Sequence, residues 1–166
     1  KIKRGDVIPF VGAGISLGTG VPRHTKFLDD LIEKLKDKTF AGKVMGDGIA
    51  IIPSDGKVYS PVTGTISALM DTKHAYGITS SDGFDVLVHI GQDTVNLKGE
   101  GFTTSVKENQ KVKPGTLLGT FDINLIKKKG FNLATPVILI TGDYKITSKT
   151  DAKEVNVGDV LFSVIK

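Results

Sequence analysis

His74 and His89 stand fifteen residues apart, the first in the run Thr72-Lys73-His74-Ala75-Tyr76-Gly77 and the second in Phe84-Asp85-Val86-Leu87-Val88-His89-Ile90-Gly91. In the second run Phe84, Val86, Val88 and Ile90 alternate with Asp85, Leu87 and His89. That period of two predicts a strand ending at Gly91, with His89 on the face opposite its most apolar one. Imidazole ordinarily titrates near ~6.5, so at neutral pH a histidine is often a neutral nucleophile that needs no dedicated base. A nitrogen nucleophile held at the open end of a strand, with a second imidazole beside it, suits the receipt of a group passed between proteins. This chemistry makes one geometric demand. Both rings must converge in a single solvent-reachable depression, close enough to share one tetrahedral anion.

The elements that would hold the pair are short. From about residue 40 onward, brief apolar runs are punctuated by Gly, Pro, Asp and Asn, with 20 Gly in the chain and little helical periodicity. This pattern predicts an all-β antiparallel barrel or sandwich. Strands are expected at 48–52, 57–60, 64–69, 75–79, 85–90, 101–104, 116–122, 136–141 and 160–165. Two internal echoes suggest duplicated hairpin units. Ser60-Pro61-Val62-Thr63-Gly64-Thr65-Ile66-Ser67-Ala68-Leu69 resembles Ile8-Pro9-Phe10-Val11-Gly12-Ala13-Gly14-Ile15-Ser16-Leu17, and Val112-Lys113-Pro114-Gly115-Thr116-Leu117-Leu118 resembles Val157-Gly158-Asp159-Val160-Leu161. In both copies of the first echo the turn chemistry is that of Pro at a fixed φ and Gly where φ must be positive, and in the second a turn feeds a buried strand.

Residues 1–39 read differently. Phe27, Leu28, Leu31, Ile32 and Leu35 recur at three- and four-residue steps, which predicts an atypical amphipathic helix over 25–36. Its polar face mixes acids and bases, favouring a surface helix over a membrane anchor. A second, short helix is expected between Asp122 and Gly130, closed by Lys127-Lys128-Lys129, where cations suit a helix C-terminus.

The 166 residues suit one globular domain, with the 1–39 segment joined to a domain spanning 40–166. Cys is absent, which removes disulfides, thiolate metal sites and Cys nucleophiles, and fits a reducing, cytoplasmic setting. No apolar run approaches the ~18 residues of a membrane span, so no direct membrane insertion is expected. The net charge of +4 is dispersed, without the basic stripe that nucleic acid calls for.

Taken together, Lys43-Val44-Met45-Gly46-Asp47-Gly48-Ile49-Ala50-Ile51, Ser60-Pro61-Val62-Thr63-Gly64, Thr72-Lys73-His74-Ala75 and Val88-His89-Ile90-Gly91-Gln92-Asp93-Thr94-Val95-Asn96-Leu97-Lys98-Gly99-Glu100-Gly101-Phe102 are similar to the glucose-family IIA proteins of the bacterial phosphoenolpyruvate:sugar phosphotransferase system. The resemblance spans about residues 38 to 166. It implies a cytoplasmic phosphocarrier with a sandwich or barrel of the duplicated-hybrid-motif type. It further implies that His89, through Nε2, takes a phosphoryl group from phospho-HPr and passes it to a Cys of a IIB domain. His74 would then hydrogen-bond the phosphoryl oxygens, and Thr72, two residues earlier on the same strand face, would orient His74. Phe40, Met45, Leu87 and Val95 match an apolar docking rim, and Asp93 an acidic rim position that would meet an Arg of a partner. No cofactor is required.

Three other readings compete. A regulatory module would use the same His face to bind target proteins, with His74 and His89 sharing a zinc completed by a partner carboxylate. A zinc hydrolase of the lysostaphin type needs His-x-x-x-Asp and His-x-His, but Ile78 and Leu87 stand where the further ligands belong. Ile8 to Ser16 followed by Gly20-Val21-Pro22 also resembles the opening nucleotide loop of sirtuin-like proteins, of which the rest is missing.

Overall fold

Every strand pairing among the described residues is antiparallel. The computed structural model describes residues 7–10, 15–17, 47–140, 143–152 and 154–166. Within these lie β1 (Val7–Phe10), β2 (Ile15–Leu17), β3 (Asp47–Pro53), β4 (Lys57–Tyr59), β5 (Gly64–Leu69), β6 (Ala75–Ser80) and β7 (Asp85–His89). After them come β8 (Phe102–Thr104), β9 (Lys111–Val112), β10 (Leu117–Phe121), helix α1 (Ile123–Lys128), β11 (Thr135–Leu139), β12 (Lys145–Lys149), β13 (Glu154–Val155) and β14 (Asp159–Ile165). The amphipathic helix expected over 25–36 and the sirtuin-like loop of 11–14 and 18–22 lie outside the described residues.

The strands form an eight-stranded sheet, β13-β2-β3-β11-β7-β6-β5-β9, and two three-stranded sheets, β1-β14-β12 and β4-β10-β8. Exchanging β1, β2, β3, β11, β12, β13 and β14 for β4, β5, β6, β7, β8, β9 and β10 reproduces every one of these pairings. The duplication expected from the sequence is therefore real, but its unit is not a hairpin. β1 pairs with β14 while β2 pairs with β3 and β13, and β4 pairs with β10 while β5 pairs with β6 and β9. In each copy the chain passes from a strand of a small sheet, β1 or β4, to a strand of the large one, β2 or β5. The second echo is shifted by two residues from the sequence alignment. Gly115 and Gly158 occupy the same turn at φ 93° and 96°. In both, the residue after the glycine donates its N–H to the carbonyl two residues before it, Thr116 to Lys113 and Asp159 to Asn156, each at 3.0 Å. Val112 thus corresponds to Val155.

The main core fills the space between the sheets, with Ile51, Ile66, Ile78, Phe84, Val86, Val88, Ile90, Leu118, Leu161 and Phe162 buried in it. A second buried cluster, Ala68, Ala75, Leu87, Ile138 and Ile140 with Met70 against it, contains residues of β5, β6, β7 and β11. β7 contributes Val86 and Val88 to the first cluster and Leu87 to the second, so it is buried on both faces. Leu87 pairs with Ile138, and a two-fold through that pair exchanges His89 with Ile140. The duplication thus repeats the scaffold without repeating the imidazole.

Tyr76 ties the large sheet to a small one. Its side chain is fully buried, and its hydroxyl donates to the Thr103 carbonyl of β8 at 3.5 Å. Burial raises the phenol's pKa above its usual value, against the lowering effect of a hydrogen bond with Thr104. Gly119 of β10 leaves the room for this contact. A Cβ there would lie 2.2 Å from the Thr103 carbonyl oxygen and 2.3 Å from the Tyr76 hydroxyl. Gly119→Ala is therefore expected to cost about 3 kcal/mol of stability. Urea unfolding measures this directly, and a midpoint unchanged from that of the unsubstituted chain would contradict it.

Candidate functional site

β6 and β7 form adjacent strands, and Ala75 stands directly opposite His89 in their ladder. His89 ends β7, with Val86 and Val88 pointing into the main core and Leu87 to the other face. His89 therefore lies on the Leu87 face, as the alternation predicts. The strand stops at His89 and not at Gly91 because Gly91 turns away with φ 69°. His74 enters one residue before β6, after a turn in which the Lys73 N–H donates to the Met70 carbonyl at 2.7 Å and Lys73 takes φ 58°. The Ile90 N–H donates to the His74 carbonyl at 2.8 Å, which fastens the two histidine segments to each other.

The rings meet. Their centroids are 4.8 Å apart and their planes cross at 85°, an edge-to-face arrangement. Rings this close can address the same phosphoryl group. The sequence reading also expects a solvent-reachable depression, and here the structure differs. Both histidines are 1% exposed. The rings pack edge to face against each other, and Ala75, opposite His89 in the ladder, and Leu87, on the same face of β7, are buried as well.

Hydrogen bonds distinguish the nitrogens. His89 Nδ1 lies 2.7 Å from the Gly91 carbonyl oxygen. A carbonyl can only accept, so Nδ1 carries the proton and the neutral ring has its lone pair on Nε2. His74 Nδ1 and the Thr72 hydroxyl share a hydrogen bond at 2.5 Å. When the hydroxyl donates, the His74 proton resides on Nε2, making that nitrogen a donor. Thr72 sits in the turn before β6 and not on the strand, yet it touches the ring it is expected to orient.

Burial pushes the His89 pKa down to about 3, with the like charge of a protonated His74 acting in the same direction and the Gly91 carbonyl opposing both. His89 is thus neutral throughout the physiological range. The consequence for stability has a definite sign. The folded pKa lies below the ordinary value, so between these two values the unfolded chain takes up a proton that the folded chain refuses. Its contribution is complete above ~6.5 and is lost as pH falls toward the folded pKa, by at most about 1.4 kcal/mol per pH unit. Compared with His89→Gln, the unsubstituted chain should lose stability more steeply between pH 6 and pH 4, in the range of about 1 kcal/mol per unit. Parallel urea-unfolding curves for the two proteins would contradict this.

The remaining site residues fall in different places. Leu87 is fully buried in the second cluster, so it belongs to the core and not to an exposed rim. Asp93 is exposed at φ 58° and precedes the 3-10 turn Thr94–Leu97, in which Val95 is half-buried. Phe40 and Met45 lie outside the described residues. Sequence reasoning missed Thr94 and Thr135, both buried, whose hydroxyls grip the loop after His89. The basic run is accounted for by α1, where the Asp122 carboxylate accepts from the Leu125 N–H at 3.0 Å and Lys127 and Lys128 occupy the last turn.

Among the described residues no group of three or more His, Cys, Asp or Glu side chains could hold a metal ion, and no helix is long and apolar enough to cross a membrane. A duplicated antiparallel β fold thus seats two imidazoles edge to face beside adjacent strands of its large sheet. Residues 30–145 match the family model described as phosphoenolpyruvate-dependent sugar phosphotransferase system, EIIA 1, and the chain belongs to that family. It is 46% identical over 136 residues to a glucose-specific EIIA component of Halalkalibacterium halodurans, covering 81% of this chain and 79% of that protein. It is 49% identical over 112 residues to a glucose-specific EIICBA component of Streptococcus pneumoniae, covering 68% of this chain but 15% of that protein. The solved glucose permease IIA from Mycoplasma capricolum superimposes with a TM-score of 0.74 at 30% identity, covering 96% of this chain and 94% of that one.

Proposed function

We propose that this protein carries a phosphoryl group on His89 between phospho-HPr and a IIB domain during sugar uptake. The observation that supports this most strongly is the facing imidazole pair with Nδ1 of His89 bound to the Gly91 carbonyl. In the accepting step the lone pair on Nε2 attacks phosphorus, a P–N bond forms on His89, and the P–N bond of the donor's phosphohistidine breaks. In the delivering step a thiolate of the acceptor attacks, an S–P bond forms, and the bond to His89 breaks. His74 donates a hydrogen bond from Nε2 to the phosphoryl oxygens, held in that tautomer by the Thr72 hydroxyl. A loose phosphoryl-transfer transition state asks mainly for alignment and charge stabilisation, which these groups supply.

Because both rings are 1% exposed, acceptance includes a local opening of the pair, and the same burial keeps water from the labile phosphoimidazole afterwards. Asp93 and Val95, at the turn that follows the His89 loop, serve as contacts for the partner proteins, a role that the family resemblance extends to Phe40 and Met45. The transfer needs no cofactor. Each imidazole has its Nδ1 hydrogen-bonded, to the Thr72 hydroxyl or the Gly91 carbonyl, as zinc-binding histidines usually do, yet the pair offers two ligands, so a zinc there would take its remaining ligands from a bound partner. Residues 40–166 act as the carrier domain, and the setting is the cytoplasm, where the phosphoryl donor works.

The test is a two-step relay with purified components. The chain should take label from phospho-HPr and release it to a IIB domain. A chain that binds either partner yet never becomes labelled would overturn the reading.

A further inference from the structure

The loop Ile90-Gly91-Gln92, which follows the phosphoryl-accepting residue, has its polar backbone groups held one by one. The Ile90 N–H donates to the His74 carbonyl at 2.8 Å, and the Thr94 hydroxyl donates to the Ile90 carbonyl at 2.5 Å. The Gln92 N–H donates to the Asn132 carbonyl at 2.8 Å. The Gly91 carbonyl accepts from the His89 ring, and the Gly91 N–H donates to the Thr135 hydroxyl oxygen at 3.4 Å. Glycine is required at the centre, since φ is 69° and a Cβ would lie 2.7 Å from Thr94 Cγ2 and 2.8 Å from the Asn132 carbonyl oxygen.

Thr135 opens β11, is 5% exposed, and donates its own hydroxyl proton to the Leu133 carbonyl at 2.9 Å. With that proton committed, its oxygen presents a lone pair to Gly91, so the hydroxyl acts here as a one-way acceptor. Ala134 is fixed alongside, its N–H donating to the Asn132 side-chain oxygen at 2.8 Å. The segment that grips the loop is therefore itself tied by hydrogen bonds of its own.

We propose that Thr135 is a positioning residue for phosphoryl transfer, which acts through the Gly91 backbone, N–H on one side of its Cα and carbonyl on the other, to hold His89 in the Nδ1–H tautomer. The inference rests on the reading of His89 as the phosphoryl acceptor. An imidazole in water ordinarily prefers its proton on Nε2, the nitrogen that must attack. Without the Thr135 oxygen the buried Gly91 N–H has lost its acceptor, and as the Ile90–Gly91 peptide turns toward a new partner it displaces the Gly91 Cα, which shifts the carbonyl of the following peptide away from His89 Nδ1. The ring then returns to its ordinary preference, and the attacking nitrogen is blocked by a proton. The wrong tautomer of a catalytic histidine is costly even when geometry is kept.

The experiment follows the ring nitrogens of His89 by 15N NMR at neutral pH with a chelator present, and the single-turnover rate of acceptance from phospho-HPr, in Thr135→Val and Thr135→Ser. The unsubstituted chain and Thr135→Ser should both show a protonated Nδ1 and an unprotonated Nε2. Thr135→Val should populate the opposite tautomer and accept at least about tenfold more slowly, with the dependence on donor concentration unchanged. If that variant does not fold, Thr135→Ala removes the same oxygen without the branched bulk. A His89 nitrogen pattern identical to that of the unsubstituted chain in the variant lacking the hydroxyl would overturn the inference, whatever its rate. A shifted tautomer with undiminished acceptance would uphold the hold of Thr135 on the ring and overturn His89 as the acceptor.

Discussion

A His89→Gln chain takes up no phosphoryl group from phospho-HPr, a loss of at least about 10⁴-fold, as expected when a nucleophile is removed outright. Gln preserves much of the volume, and its side-chain amide can donate to the Gly91 carbonyl as Nδ1 does at 2.7 Å. The loop after β7 and the second apolar cluster should persist, so the loss reports chemistry and not folding. Near-ultraviolet circular dichroism and unfolding midpoints at neutral pH verify that the fold is kept. Acceptance retained in His89→Gln would require another nucleophile, and among the described residues the nearest imidazole is that of His74.

His74→Gln has the second largest effect. With its ring centroid 4.8 Å from that of His89, His74 is close enough for the role proposed for it, a hydrogen bond to the transferring group without a covalent link. Removing one aligned donor from a charge-stabilising site costs about 10²–10³-fold, so the complete relay from phospho-HPr to the IIB domain should slow by that factor while His89 remains the labelled residue. Timing labelled phosphate in rapid-quench samples separates the two steps of the relay. A relay running at the rate of the unsubstituted chain would leave His74 with a packing role alone.

The strand carrying His89 could be read in advance because its apolar residues alternate, and the side of β7 that bears the ring follows from that period. Helix α1 could be read from its Asp122 cap and terminal lysines. What escaped depends on contacts distant in sequence. The Pro-Gly turns look like hairpins because local chemistry dictates a reversal but not which strands then pair, and here the flanking strands join different sheets. β12 escaped because Lys145, Thr147 and Lys149 make it look like a loop, as suits the edge of a three-stranded sheet. β9 and β13 have two residues each, too few for a period to show. Thr135 grips Gly91 across 44 residues, and no spacing rule signals that. The burial of the pair was hidden for a related reason. A histidine pattern shows which way a ring faces, whereas its 1% exposure depends on what packs over it.

The most direct measurement of the account is identification of the phosphorylated nitrogen. The chain is charged by phospho-HPr with uniformly 15N-labelled histidine, and the phosphorus–nitrogen couplings are read under alkaline conditions that preserve phosphohistidine. One phosphoryl group on Nε2 of His89, with His74 unmodified, is the result predicted. Phosphorus on Nδ1 of His89, or on either nitrogen of His74, would contradict the assignment of tautomers and roles from which the rest follows.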